Sequence, residues 1–328
     1  MKIGKSNLAV FSLTAFLVCL ACEDHGSINK NAIDSSSEQA GIPVIYETDM
    51  TLDVDDVGAL AVLHGLQTEK KVNLLGVCFN EVHPLGPAVI DAINTFYNRG
   101  TIPIGIYRKD LARPDPSDYY SMERDFDVDN MPHDPFDNIV GDAVEVYKHL
   151  LKTQTDGSVV IISVGFLNNL HDLLKDPVGY ALVESKVKLL AVMGGLNNDG
   201  FNFVRHDLVD QTQYVLENWP GLLVTTHVGG DMITGETLTR TTPTNNPVRR
   251  AYELEWEQGP NVGRCSWDQV AALYAVYGGK YYEEDWESSG SLRNGFTWNF
   301  KPGQRGYAAP RDDEQIEQEI ERLMTLAP

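Results

Sequence analysis

Five acidic residues fall within ten positions of the stretch VIYETDMTLDVDDVGALAVLHGL: Glu47, Asp49, Asp53, Asp55 and Asp56. They lie between an apolar run with β-branched residues, which predicts a buried strand, and an apolar segment of helical character. Carboxylates this close repel one another, so a cation must hold them together if all of them stay ionised. Hard divalent cations suit an all-oxygen site, and Ca²⁺ takes about 6–8 oxygen ligands. The cluster therefore indicates a divalent metal site at a strand-to-helix junction.

Two other interpretations of this acidic cluster explain less of it. Acidic residues at a helix N-terminus interact favourably with the helix dipole. That explanation covers Asp55 and Asp56 but leaves Asp49, at the strand end, without a reason. An EF-hand loop that begins at Asp49 needs Gly at its sixth position and Glu at its twelfth, where this chain has Val54 and Leu60.

Strand and helix patterns alternate along most of the chain. Strands are predicted at IPVIYETD, VNLLGVCFN, IPIGIY, SVVIISVG, VKLLAVMGG and GLLVTTHVGG. Helices are predicted at VGALAVLHGLQTEK, GPAVIDAINTFYNRG, IVGDAVEVYKHLLKTQ, FLNNLHDLLKD, LVDQTQYVLENW, SWDQVAALYAVYG and DEQIEQEIERLMTL. A long loop is predicted over residues 109–138. This alternation predicts an α/β fold with a mainly parallel central sheet flanked by helices, a Rossmann-like open sheet. Ligands of such sheets bind beyond the carboxyl ends of the strands, where the acidic cluster is expected.

The N-terminus is typical of an export signal. Lys2 and Lys5 precede the apolar run LAVFSLTAFLVCLA, which ends near Cys22. The CLAC sequence resembles a bacterial lipoprotein cleavage site, with Cys19 at the position that usually carries Leu. We therefore predict a lipoprotein signal peptide at residues 1–21, a flexible tether at 22–40 and a single domain at 41–328. A protein with a lipid on Cys22 would be exported and anchored in the cell envelope, at the periplasmic face or the outer membrane; cleavage without lipidation is the alternative.

The overall charge and the cysteines argue against a nucleic-acid-binding protein and against a disulfide-stabilised scaffold. A formal net charge of −21 argues against a nucleic-acid partner, because little here would neutralise phosphates. After the signal peptide and Cys22, Cys78 and Cys265 remain, and two thiols so far apart in sequence do not indicate a disulfide framework.

Several ordered motifs resemble the inosine–uridine preferring nucleoside hydrolase family, and in particular a branch of secreted bacterial members. ETDMTLDVDDVGALA is similar to the family's N-terminal signature, Asp-Thr-Asp-Pro-Gly-x-Asp-Asp-Ala, with Glu47 in place of the first Asp and with Asp53 and Val54 as extra residues. VVIISVGFLNNLHDLL, LLAVMGG and GRCSWDQVAALYAVYG resemble later family motifs in the same order. The resemblance implies a nucleoside hydrolase-like fold.

The resemblance also implies a role for individual residues around a bound Ca²⁺ that holds a water and the ribose diol. Asp49 matches a metal ligand that is also the general base on the water. Further metal ligands are implied at Asp56, Asn168, through its backbone carbonyl, and Asp268. Substrate contacts are implied at Asp55 and Asn80. An inverting cleavage of an N-glycosidic bond needs such a carboxylate to activate water.

Several positions depart from the family pattern or lie outside it. The family's Glu-Phe-Asn stretch of the ribose pocket corresponds to DGFNFVRHD, in which no Glu appears and Asn202 takes the Asn role only after a shift of one residue. Trp267 stands where many members have a His that assists the leaving base; Trp can stack on a base but cannot donate a proton in acid catalysis. His83, His206 and His227 lie near motifs but are not assigned a role. Asp231, predicted at a strand end, is expected either to contact the ligand or to accept a structural hydrogen bond.

The sequence thus predicts Ca²⁺-dependent hydrolysis of the N-glycosidic bond of nucleosides or nucleoside-like ribosides, giving free base and ribose. The alternative is a lipoprotein that retains the metal cleft and binds a sugar or nucleoside with weak turnover or none. The expected partner is a small nucleoside or riboside, and self-association is expected because the family forms dimers and tetramers.

Overall fold

The computed structural model describes residues 41–50, 53–112, 140–194, 202–254, 259–286 and 303–328, all within one compact unit, Gln39–Pro328. The predicted signal peptide and tether, at 1–21 and 22–40, lie outside the described residues. Most of the predicted loop at 109–138 lies outside them too.

Nine of the described strands form one sheet, in the order β10-β11-β7-β6-β5-β1-β2-β3-β4. Its strands are β1 (Ile42–Thr48), β2 (Val72–Phe79), β3 (Ile104–Ile106), β4 (Val140–Asp142), β5 (Val159–Ser163), β6 (Val187–Met193), β7 (Leu222–Thr226), β10 (Tyr282–Asp285) and β11 (Arg305–Pro310). A separate antiparallel pair is formed by β8 (Ile233–Thr234) and β9 (Arg264–Cys265). Every pairing in the large sheet is parallel except that of β10 with β11. The predicted mainly parallel α/β sheet is confirmed.

Ten α-helices are described: α1 (Asp55–Thr68), α2 (Gly86–Phe96), α3 (Ala143–Lys152), α4 (Asn168–Lys175), α5 (Pro177–Lys186), α6 (Val209–Asn218), α7 (Leu238–Thr241), α8 (Pro247–Leu254), α9 (Trp267–Tyr277) and α10 (Asp313–Met324). Two large hydrophobic clusters are built from these helices and the sheet. The first contains apolar residues of α1, α2, α9 and α10, and the second contains residues of α3, α4 and α6. None of the helices in the described ranges combines the length and the apolar character that crossing a bilayer requires.

The central position of β1 explains its composition. It pairs with β2 on one side and β5 on the other, so both of its edges are used. Val44, Ile45 and Tyr46 are fully buried, as expected of a strand whose two faces are covered by helices. Its carboxyl end therefore opens in the middle of the sheet edge, where α1 begins seven residues later with Asp55.

The structure corrects several predicted boundaries. The predicted helix IVGDAVEVYKHLLKTQ begins only at Ala143, because Val140–Asp142 pairs with β3 and the Asp142 carboxylate accepts hydrogen bonds from the backbone N–H groups of Val144 and Glu145. The predicted strand GLLVTTHVGG ends at Thr226. Asp231 therefore lies beyond the strand end at which it was predicted, in a turn, with an exposed side chain.

Candidate metal centre

The ends of three neighbouring strands meet at the candidate site. Asp49 follows β1, Asn80 follows β2 and Val164 follows β5. The backbone N–H of Asn80 donates to the Thr48 carbonyl at 3.0 Å, and the N–H of Val164 donates to the Glu47 carbonyl at 2.9 Å. These bonds continue the ladders past the strands, so the side chains that follow are held by the sheet itself.

Gly165 allows two of these side chains to approach each other. A Cβ atom at this position would lie 2.7 Å from Asp49 Oδ1, 2.7 Å from Asn80 Oδ1 and 2.6 Å from the backbone nitrogen of Asp49. No real Cβ tolerates such contacts, so the absence of a side chain at residue 165 is what leaves room for both oxygens.

The acidic residues predicted at the junction do converge. One carboxylate oxygen each of Asp53, Asp55 and Asp56 lies within 4.8 Å of the others, a spacing that could hold a metal ion. Asp56, a predicted ligand, and Asp55, a predicted substrate contact, are both buried in the first turn of α1. Asp53, for which the sequence predicted no role, belongs to the same group.

Asp49 and Asp268 complete the negative region around this group. Asp268, in the first turn of α9, is 2% exposed, and Asp49 is 8% exposed. Burial raises the pKa of Asp268 well above its usual value, and the nearby charges of Asp56, Asp53 and Asp49 raise it further. The predicted ligands Asp49, Asp56 and Asp268 therefore share one electrostatic environment.

Burial and like charge disfavour ionisation throughout the cluster. Burial, followed by the charge of Glu81, raises the pKa of Asp49 to about 7, against the opposing effect of Arg205. The pKa of Asp55 is raised well above its usual range by burial and then by the charges of Asp268 and Asp53. Such a group of carboxylates takes up either protons or a cation.

Among the residues that the structure describes, three buried oxygens at this site have no hydrogen-bond partner: Asn80 Oδ1, Asn168 Oδ1 and Asp268 Oδ1. The other end of each amide is anchored. Asn80 Nδ2 donates to the Phe166 carbonyl at 2.8 Å, and Asn168 Nδ2 donates to the Asn80 carbonyl at 2.9 Å. Buried polar atoms normally have partners, so these orphaned acceptors indicate a missing ligand. All are hard oxygen donors, and with the surrounding carboxylates they fit a divalent cation such as Ca²⁺.

A buried hydrogen-bond network through Glu47 and Tyr147 orients the side chain of Asn80. Glu47 Oε1 accepts a hydrogen bond from Asn80 Nδ2 at 3.2 Å, and Glu47 Oε2 accepts one from the Tyr147 hydroxyl. Burial raises the pKa of Glu47 to about 8. The sequence placed Glu47 in the acidic cluster. In the structure its side chain instead accepts a hydrogen bond from the amide nitrogen of Asn80. Tyr147, 100 residues further along the chain, could not be connected with it from sequence.

The main predicted carboxylate ligand, Asp56, is fixed by the strand before it. The Thr48 hydroxyl donates to Asp56 Oδ1, and the Tyr46 hydroxyl donates to the Asp56 carbonyl at 2.9 Å. Both donors sit on β1, so the strand determines where the first turn of α1 places its carboxylates.

Arg264 brings a positive charge to the acidic group. Its Nη2 lies 3.2 Å from Asp53 Oδ2, and both side chains are 16% exposed. The guanidinium carbon also lies 5.6 Å from the ring centroid of Trp267. Trp267 is half-buried and directly precedes Asp268, and its contact with the leaving base stays a prediction.

A second ionisable pair lies on the other side of Asp49. His206 Nε2 lies 2.9 Å from Glu81 Oε2, and His206 Nδ1 lies 3.2 Å from the Ala112 carbonyl. Desolvation opposes protonation of His206, but Glu81 more than offsets it and the pKa of His206 is raised. The backbone of His206 has φ 52°, a left-handed conformation that His tolerates better than most residues. Sequence proximity pointed to His206, but its partner Glu81 was not identified.

Asn202 and Asp231 were both considered as substrate contacts, and the structure places them in different environments. Asn202 is buried, and its Nδ2 donates to the carbonyls of Val164 at 2.5 Å and Met193 at 3.2 Å. Its amide thus joins the ends of β5 and β6. The exposed Asp231 side chain lies in the turn between β7 and β8.

Comparison with known proteins gives evidence from structure alone. No family model matches the chain, and no curated protein matches it. Among solved structures, an inosine–uridine preferring nucleoside hydrolase from Bacillus anthracis superposes with a TM-score of 0.65 at 16% identity, covering 86% of this chain and 99% of that one. An inosine–guanosine nucleoside hydrolase gives 0.66 at 14% identity, covering 87% and 99%. The type III effector protein XopQ, complexed with adenosine diphosphate ribose, gives 0.65 at 12% identity, covering 88% and 94%. The chain therefore has the nucleoside hydrolase fold, as its motifs predicted.

Proposed function

We propose that this protein is a Ca²⁺-dependent hydrolase of the N-glycosidic bond of nucleosides or nucleoside-like ribosides, releasing free base and ribose. The observation that carries the proposal is the convergence of buried carboxylates and three unpartnered oxygens at one edge of the sheet. The nucleoside hydrolases among its structural neighbours support the choice of substrate class.

Asp49 is the general base in this proposal. It is buried beside the candidate metal site, and the raised pKa suits a carboxylate that accepts a proton near neutral pH. As the C1′–N bond breaks, its electron pair leaves with the base; the water oxygen bonds to C1′ and the water proton passes to Asp49. Ca²⁺ bound at the site supplies polarisation of the water and a fixed anchor for the ribose hydroxyls.

Asp55 and the unpartnered Asn80 Oδ1 accept hydrogen bonds from the ribose in this arrangement. Asp49, Asp56, Asp268 and the Asn168 backbone carbonyl would hold the cation. These assignments follow the predicted roles, and the burial of all six residues is consistent with a site closed to bulk water.

In this proposal, Trp267 and Arg264 contact the leaving base. The indole offers a stacking surface, and the adjacent guanidinium offers positive charge to a base that departs with an electron pair. A base that leaves without prior protonation must be a stable anion, so we expect preference for bases with delocalised charge.

Trp267 also favours a second candidate function, the capture of a nucleoside without turnover. Trp has no acidic proton for catalysis, and no Glu was found in the ribose-pocket stretch. A binding protein would retain the cleft and the cation but would have no need of Asp49 as a base.

The experiment is release of reducing sugar from a panel of purine and pyrimidine nucleosides, with Ca²⁺ and then with a chelator. Asp49→Asn is assayed beside the parent, and Asp313→Asn, an exposed change on α10, is the matched control. Hydrolysis should depend on the metal, fall at least about 100-fold in Asp49→Asn and persist in the control. Nucleoside binding without release by the parent would overturn the hydrolase in favour of the binding protein.

We further propose that the protein is exported and anchored through a lipid on Cys22. The lysines, apolar run and CLAC site at the N-terminus support this. The full-length protein should fractionate with membranes and Cys22→Ser should not; equal fractionation of the two would overturn the lipid anchor.

A further inference from the structure

Asp53 is one of the residues by which this chain exceeds the family signature, and it lies within the acidic group. One of its carboxylate oxygens is within 4.8 Å of an oxygen of Asp55 and of an oxygen of Asp56. Its charge also acts on Asp49 and Asp268, so it faces the same centre as the predicted ligands.

An independent observation shows that the centre requires a ligand. Asp268 is 2% exposed and lies near other carboxylates, and its Oδ1 has no hydrogen-bond partner within the described ranges of the chain. A cation among Asp53, Asp56 and Asp268 would satisfy it and offset the repulsion.

Arg264 already forms an ion pair with Asp53. Its Nη2 contacts Asp53 Oδ2, while the group with Asp55 and Asp56 requires only one oxygen of Asp53. A carboxylate has two oxygens and about four lone-pair sites, so Asp53 can serve a cation and a guanidinium together. The guanidinium withdraws electron density from the shared carboxylate and adds a positive charge close to the cation.

We propose that Asp53 is an additional ligand of the cation in this protein, and that Arg264 holds Asp53 in place while limiting how tightly the cation binds. The inference rests on the proposed function, because it concerns the same metal site. It goes beyond that function because it assigns a ligand that lies in the extra loop residues and gives Arg264 control over affinity.

Calorimetric titration with Ca²⁺ alone tests the two assignments without any assay of hydrolysis. Asp53→Ala should weaken Ca²⁺ binding at least about tenfold, and Asp313→Ala, which removes an exposed carboxylate elsewhere, should not change it. Arg264→Met should tighten binding, while Arg249→Met, which removes a cation paired with Glu253, should not change it. Ca²⁺ affinity in Asp53→Ala within twofold of the parent would overturn the ligand, and unchanged or weaker binding in Arg264→Met would overturn the control by Arg264.

Tb³⁺ luminescence separates a ligand from a nearby charge. Tb³⁺ takes oxygen ligands as Ca²⁺ does, and its lifetimes in H₂O and D₂O report how many waters it holds; Trp267, next to Asp268, is placed to sensitise it. Asp53→Ala should add about one bound water relative to the parent and to Asp313→Ala. An unchanged number of waters would show that Asp53 acts only through its charge and would overturn the proposal. Both experiments measure metal binding, so they can be interpreted even if the protein hydrolyses no nucleoside. A negative result in them would overturn the role of Asp53 or Arg264 but not the proposed hydrolase activity.

Discussion

Glu47 is a carboxyl group in an environment that favours its neutral form. It is fully buried on β1 between Asn80 and Tyr147, and burial raises its pKa from 4.5 to about 8. At neutral pH the group is therefore mainly protonated. A neutral carboxyl can accept from the Asn80 amide with one oxygen and share its proton with the Tyr147 hydroxyl through the other. Its part in the site is to hold Asn80 so that Oδ1 faces the cation.

Glu47→Gln tests this assignment, because Gln has the shape and polarity of a protonated Glu. Its oxygen can accept from Asn80 and its amide can donate to the Tyr147 hydroxyl, so near pH 5 the variant should unfold within about 1 kcal/mol of the parent. A raised folded-state pKa means that native protein binds more protons than unfolded protein between 4.5 and about 8. The parent therefore loses stability relative to the variant as pH rises through that window, on the order of 3 kcal/mol.

The measurement is urea unfolding of both proteins, in chelator, across the pH range. Tyr147→Phe is the matched control: it removes a hydroxyl whose hydrogen bond lowers the pKa of Glu47 but keeps Glu47 titratable, so this variant should still lose stability as pH rises, at least as much as the parent. A constant difference between parent and Glu47→Gln at all pH values would contradict a neutral Glu47.

At the residue scale, the sequence predicted the convergence of carboxylates that lie close together along the chain. Asp53, Asp55 and Asp56 converge because they stand at the start of α1, whereas the role of Asp268 stays a prediction from its own motif. The partner of Asp53 was not predicted, since nothing local shows that the chain returns Arg264 to it from 211 positions away. Pairs formed across the fold, such as Asp53 with Arg264, leave no periodic or local signal in a single sequence.

At the scale of elements, the site depends on how closely the ends of β1, β2 and β5 approach. Gly165 follows β5 and is the point of closest approach, because its missing Cβ leaves space that Asp49 Oδ1 and Asn80 Oδ1 share. The surrounding strands are fixed by parallel ladders on both sides. A side chain added at residue 165 would therefore displace Asp49 and Asn80, whereas the paired strands of the sheet would stay in place.

Gly165→Ala should therefore disable the site in a folded protein. The added methyl group meets the Asp49 backbone at 2.6 Å, so Asp49 and Asn80 must shift, and displacements near 1 Å cost about 100-fold in activity. Overpacking should lower stability by about 1–3 kcal/mol, which circular dichroism and thermal melting will measure. In Gly221→Ala, the new Cβ meets nothing closer than 3.7 Å, so both activity and melting should be close to those of the parent. Full hydrolysis or full Ca²⁺ affinity in Gly165→Ala would contradict the close packing of the two oxygens.

The central elements were predictable because their patterns are long and uninterrupted. β1, β2, β5 and β6 are apolar runs, and each is followed by a helix or by a site residue. The strands near the edges of the sheet were harder to predict. β4 has only three residues, and its sequence resembles the start of the helix that follows it. β11 is defined as a strand by its pairing with β7 and β10. The sequence did not predict α5, α7 and α8. α7 and α8 are short, but α5 has a local start signal that was missed: Pro177 stands at its first position, and the Asp176 carboxylate accepts hydrogen bonds from the backbone N–H groups of Val178 and Gly179.

At the scale of the whole molecule, a cluster of carboxyl groups lies where the fold excludes water. The formal net charge is −21, and the carboxyl groups of Asp49, Asp55, Asp56 and Asp268 all have raised pKa values, with burial as the largest cause. Without a cation, each of these groups opposes folding once the unfolded chain would ionise it. The carboxylates of the metal site therefore lower the stability of the cation-free fold whenever they are ionised.

The cation-free protein should therefore become less stable as pH rises. Acids with raised pKa values in the folded state contribute stability that is complete below their unfolded-state value, 3.8 for Asp, and that is lost as pH rises through the folded value, about 7 for Asp49. Ca²⁺ should reverse the trend, because it binds the ionised carboxylates of the native state only. At a free concentration 100 times its dissociation constant it adds about 2.7 kcal/mol.

Thermal melting between about pH 5 and pH 8, with chelator and with Ca²⁺, measures both effects. The rise in melting temperature on adding Ca²⁺ should be larger near pH 8 than near pH 5, because protons compete for the same oxygens at the lower pH. Asp56→Asn is the matched variant: it removes one buried charge and one ligand, so in chelator it should lose less stability with rising pH than the parent, and with Ca²⁺ it should gain less. A cation-free protein that gains stability from pH 5 to pH 8, or an equal Ca²⁺ effect at both pH values, would contradict a cluster of buried carboxylates that a cation must neutralise.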